Sequence, residues 1–217
     1  MPTLQPAEAL AVVAAAAVAA AFRPWAMLRR TELRHPWLAA LALLPWVWST
    51  ETLVPGALPV QLSFAALLVL MFGWPLATWT MLAVGALAAW LADPALAAGT
   101  SAWLARAVYT ALWSGVLPGT LALGVGLATR RWLPRHLMVY ILARGFASTL
   151  LAMTATGAVW IATQPLPAGS EASLLMVGRW LMAWGDAVAT GMITAVFVAF
   201  RPEWLATYSD ARYLPRR

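Results

Sequence analysis

Charge vanishes from the chain between Glu51 and Asp93, leaving residues 52–92 as an uninterrupted run of 41 uncharged positions (92 − 51). A membrane-spanning helix needs about 20 apolar residues to cross roughly 30 Å of hydrocarbon. The run is therefore too long for one crossing and about right for two. The same pattern along the rest of the chain predicts seven apolar helical spans, at about residues 4–22, 37–54, 58–72, 76–92, 102–129, 137–163 and 174–200. Pro45 predicts a kink in the second span. Gly73-Trp74-Pro75 supplies the turn chemistry for a tight reversal between the third and fourth. The expected fold is all-α: one polytopic membrane domain over residues 1–217, closing in a basic tail over 205–217.

Composition agrees. The chain is 63% apolar and 10% charged, against about 25% charged in soluble domains, which excludes a large soluble fold. Its basic residues fall in clusters: Arg23, Arg29, Arg30 and Arg34 after the first span, Arg130, Arg131 and Arg135 after the fifth, and Arg201, Arg212, Arg216 and Arg217 after the seventh. The acids Glu51, Asp93 and Glu171 sit at the alternate span ends. Because basic loops stay on the cytoplasmic side, the expected topology has the N-terminus outside and the C-terminus in the cytoplasm. The apolar run 9–22 follows Glu8 and precedes Arg23, the reverse of a secretory signal, and is read as a retained first helix. Its alanines allow close helix approach.

The net charge of +6 is spread beside apolar spans rather than along an aromatic-rich soluble face, which argues against nucleic-acid binding. Cysteine is absent, which excludes disulfides, thiolate catalysis and cysteine-held metals. Absent lysine with abundant Ala, Trp and Arg points to a GC-rich bacterial genome, and the expected location is the bacterial inner membrane. The tail with Tyr208 and Tyr213 is expected to lie on anionic headgroups.

Polar side chains within spans are expensive, so function is sought there first. Asp186 lies near the middle of the seventh span. Thr190, four residues on, and Arg179, seven residues back, share its helical face. An isolated carboxylate in hydrocarbon must pair, protonate or meet water, and Arg144 of the sixth span is a possible counter-charge. Arg106 and Arg179 are near the outer surface, where snorkelling accounts for them. His35 and His136 lie in basic loops without partner ligands. Ser114 has neither the preceding glycine of a serine-hydrolase elbow nor a histidine base nearby, and no phosphate-binding loop is present. The chain is not expected to be an enzyme; any ATP hydrolysis falls to partners.

Residues 60–75, Val60-Gln61-Leu62-Ser63-Phe64 through Phe72-Gly73-Trp74-Pro75, resemble a segment of the energy-coupling-factor (ECF) permeases of the cobalt/nickel type. Asp186 with Thr190 resembles their acid followed four residues later by threonine. Arg201-Pro202-Glu203-Trp204 and residues 210–214 resemble a proteobacterial branch of that superfamily. The resemblance implies about seven helices and a substrate-capture subunit of an ABC-type transporter for a transition metal or related small solute. The implied partners are a transmembrane coupling protein and cytoplasmic ATPases, besides the lipid bilayer. Two departures bear on the substrate. Metal-binding members begin Met-His, whereas this chain begins Met1-Pro2-Thr3, and the family's His-Pro element falls near Gln61, a poor ligand for Co²⁺ or Ni²⁺ beside imidazole. No metal site of the usual type and no cofactor are expected. Candidate pathway residues are Gln61, Ser63, Asp186 and Thr190, with Arg144 as counter-charge. The alternative is a non-transporting scaffold or assembly factor of the same fold.

Overall fold

A computed structural model describes residues 4–53, 62–93, 100–134, 136–166, 169–209 and 213. Six helices follow one another: α1 (Pro6–Ala21), α2 (Thr31–Leu53), α3 (Ala65–Ala92), α4 (Ser101–Trp132), α5 (Leu137–Thr163) and α6 (Ala172–Phe200), with short 3-10 turns at Pro24–Arg29 and Pro202–Trp204. No strand occurs among the described residues. α3 to α6 are each long and apolar enough to cross a membrane, and α1 is a shorter apolar helix. α2 passes through Pro36 and Pro45 as one continuous helix.

The expected hairpin is hidden inside α3. Gly73 breaks the helix with φ 69° and ψ 157°, a region open to glycine because it lacks a Cβ. Val69 Cγ2 and Met81 Cε both crowd Gly119, at 3.4 and 2.8 Å from where its Cβ would stand. In an unbroken helix positions 69 and 81 would lie about 18 Å apart, so the chain doubles back. Counting the two arms, 65–72 and 74–92, separately gives seven helical segments among the described residues.

The first arm is shorter than its expected span. Of the expected 58–72, residues 58–61 lie outside the described residues, 62–64 are not helical, and helix occupies 65–72. Eight residues rise only about 12 Å, less than half a hydrocarbon thickness. All eight are buried, so this half-length helix is enclosed by protein.

α3 is the hub. α2 and α4 pack along it, α1 lies across α3 and α4, and α5 packs against α4 and α6. Small residues permit the close crossings: a Cβ on Gly85 would stand 2.7 Å from Ala111 Cβ, and one on Gly115 would stand 2.7 Å from Trp48 and 2.9 Å from Met81. Large apolar side chains such as Leu10, Leu43, Trp46, Leu151, Met192 and Phe200 point outward. An exterior of this kind fits lipid rather than water.

The tail does not behave as expected. Rather than lying on headgroups, Leu205, Tyr208 and Tyr213 are buried. The Ala206 N–H donates to the Met71 carbonyl at 2.9 Å, and Thr207 donates to the Leu70 carbonyl through both N–H and Oγ1, at 3.3 and 2.9 Å. These carbonyls close the 65–72 arm, and Pro75 has no N–H to offer Met71. Unsatisfied carbonyls are costly in an apolar setting, so the arm recruits remote backbone. Tyr140 completes the seat, its hydroxyl 2.8 Å from Thr207 Oγ1 and its ring 5.0 Å from those of both Tyr208 and Tyr213. Arg212, Arg216 and Arg217 lie outside the described residues.

Candidate functional site

The opposite end of the 65–72 arm is held by equally remote groups. Asp186, fully buried in the middle of α6, accepts the Phe64 N–H through Oδ1 at 3.1 Å. A carboxylate at a helix N-terminus also complements the helix dipole. Ser63, 1% exposed, accepts the Ala65 N–H at 3.1 Å and donates to the Ser114 carbonyl at 2.6 Å, while Trp48 Nε1 donates to the Ser63 carbonyl at 3.0 Å. Pro118 follows four residues after Ser114 and has no N–H to give to the α4 ladder. α4 widens into a π turn over Leu112–Val116 there, a local form concentrated at functional sites. Ser63 and Asp186, far apart in sequence, therefore converge on one helix end.

Below Asp186, Thr190 and Thr194 follow at one-turn intervals on the same face of α6, all fully buried. Asp186 Oδ2, Thr190 Oγ1 and Thr194 Oγ1 meet no hydrogen-bond partner among the described residues. Three such buried oxygens in line are unusual, since buried polar atoms are normally paired. Thr194 was not singled out from the sequence, although its i+8 spacing from Asp186 is visible there.

Arg144 is not the counter-charge of Asp186. Its NH1 donates to the Tyr213 hydroxyl at 3.0 Å, and its guanidinium lies 5.2 Å from the Tyr140 ring centroid. Neighbouring Gly145 abuts Thr194, which is eight residues and about 12 Å along α6 from Asp186. The helix register puts the arginine at the level of the tail.

Above Ser63 is a cavity of about 50 Å³, lined by Ser63, Tyr109, Trp113, Ser114, Thr156 and Arg179 among others. That is room for a few waters or a very small solute. Arg179 does not snorkel outward: its guanidinium stacks 4.0 Å from the Trp160 ring centroid, a favourable cation–π arrangement. Gly157 leaves room for its stem, because a Cβ there would stand 3.1 Å from Arg179 Cβ. Trp160 Nε1 donates to the Tyr109 hydroxyl at 2.6 Å. Glu8, 5% exposed, closes this region, accepting from Trp113 Nε1 at 2.8 Å and Gln164 Nε2 at 3.1 Å. Sequence reasoning treated Glu8 as a flanking charge, because its partners lie more than a hundred residues away.

The remaining candidates separate. Gln61 lies outside the described residues. Arg106 is half-buried and His35 exposed. His136 caps the start of α5, its Nδ1 accepting from the Met138 N–H at 3.2 Å. The arrangement as a whole is a polar seam through an apolar bundle: cavity, Ser63, Asp186, Thr190, Thr194. Comparisons with known protein families, with curated proteins and with solved structures found no match to this chain.

Proposed function

We propose that this chain is the substrate-capturing membrane subunit of an ECF-type transporter, handling a small solute and energised by partner ATPases. The observation that carries the reading is the half-length helix 65–72, which begins inside the bundle against buried Asp186 and beside a polar cavity. Interrupted helices whose ends point at mid-membrane polar groups are a recurrent device of transporter binding sites. Ser63, Asp186 and Thr190 then belong to the pathway, and Arg179 with its aromatic neighbours faces the entering solute. The coupling protein, the ATPases and the bacterial inner membrane follow from the family resemblance and the charge pattern. On that resemblance Gln61 stands where metal-capturing members carry a histidine, which favours a solute other than Ni²⁺ or Co²⁺ held in the usual way.

The test combines assembly with transport. Tagged protein drawn from native membranes is expected to bring an ATPase with it. Asp186→Asn keeps an oxygen for the Phe64 N–H but removes the charge. It is expected to lower uptake about tenfold or more, the effect of some 1.4 kcal/mol, with the ATPase still bound. Membranes that never yield an ATPase favour the scaffold instead, and unchanged uptake in the variant removes Asp186 from the pathway.

A further inference from the structure

α2 and α6 flank the buried 65–72 arm, and between them an apolar fissure of about 750 Å³ reaches in as far as Leu67 and Met71. Leu43 of α2, Leu67 and Met71 of the arm, and Phe197 of α6 line it, and His35 and Trp204 stand at its mouth. Along α2 it runs from His35 to Val47, twelve residues or about 18 Å. One leaflet of hydrocarbon is about 15 Å deep, so the fissure has the depth of a single leaflet.

Its mouth lies at the basic end of the bundle. Exposed Arg34 is beside His35, with Nε tied to the Leu28 carbonyl at 2.9 Å. The Arg201 guanidinium lies 6.0 Å from the Trp204 ring centroid. Glu203 meets Arg201 at 3.4 Å on the surface, a weak pairing in solvent. Glu32 is the other acid nearby, and Arg29 and Arg30 precede α2, so arginine outnumbers acid around the opening. An apolar slot one leaflet deep beneath a cationic rim with an interfacial Trp matches an acyl chain attached to a negatively charged headgroup.

We propose that the fissure between α2 and α6 is a binding site for an anionic phospholipid, whose acyl chain packs against the 65–72 arm and whose phosphate sits at the rim formed by Arg34, His35, Arg201 and Trp204. The acyl chain fills the fissure between the two helices.

The protein is reconstituted in nanodiscs of equal parts phosphatidylglycerol and phosphatidylethanolamine, then extracted, and the lipid retained per chain is measured by native mass spectrometry. About one phosphatidylglycerol per chain is expected. Arg34→Gln and Arg201→Gln should each reduce its preference about fivefold, the fold-change of roughly 1 kcal/mol per arginine near a headgroup. Ala39→Trp fills the slot from an exposed position and is expected to abolish retention without lowering the melting temperature. Equal retention of both lipids overturns the proposal, as does a preference that survives both arginine variants. Retention unaffected by Ala39→Trp, or a protein segment found seated in the fissure, does so too.

Discussion

Ser63→Ala is the most informative perturbation, because one hydroxyl ties the start of the 65–72 arm to α4. The hydroxyl donates to the Ser114 carbonyl at 2.6 Å and accepts from the Ala65 N–H at 3.1 Å. Hydrogen bonds within membrane bundles are worth about 0.6 kcal/mol on average and up to about 1.7, so losing both should cost about 1–3 kcal/mol. Trp48→Phe removes the indole donor to the Ser63 carbonyl, and neighbours in one hydrogen-bond network couple by about 0.5–3 kcal/mol. Unfolding of the four variants in detergent, followed by tryptophan fluorescence, closes the double-mutant cycle. Independent sites add within about 0.3–0.5 kcal/mol. Additivity at that level would refute the claim that Ser63 and Trp48 hold the start of the arm as one network.

Three further outcomes follow from the packing, the tail and the substrate argument. Gly85→Leu drives a side chain into Ala111, whose backbone N and Cα already stand 2.9 Å from where a Cβ would be; overpacking of about 1–3 kcal/mol or more is expected, read as a lowered melting temperature, and an unchanged one contradicts the α3–α4 crossing. Thr207→Val removes the hydroxyl's bond to Leu70 and its contact with Tyr140 while leaving the backbone N–H bond; it should cost about 1–3 kcal/mol and speed proteolysis after Arg201, whereas unaltered cleavage would mean that the tail is not docked. On the proposed family reading, with Gln61 in place of the usual imidazole, calorimetric titration with Ni²⁺ and Co²⁺ should show no tight binding, and submicromolar affinity for either ion would overturn the substrate argument.

Expectations for the turn and for the charged side chains fared differently, for reasons visible in particular residues. Gly73-Trp74-Pro75 announced its turn locally, through a glycine that reaches positive φ and a proline that ends hydrogen bonding. Asp186 announced itself as an acid in the middle of an apolar stretch. Arg144 and Arg179 did not, because only helix register and rotation decide whether an arginine meets Tyr213, Trp160 or the interface. Glu8 looked like a flank until Trp113 and Gln164 arrived beside it.

By itself, the sequence determined the membrane class, the seven helical segments and the candidate acid, because hydrocarbon imposes length and polarity limits that each segment must meet alone. Tertiary structure decided what the acid does. The 65–72 arm leaves backbone groups unsatisfied at both ends, and these must be met by whatever the fold brings near. Asp186 and Ser63 serve one end, and Ala206 and Thr207 the other. Ser63 is a local cap, but Asp186, Ala206 and Thr207 reach the arm across more than a hundred residues, a proximity that no local pattern encodes.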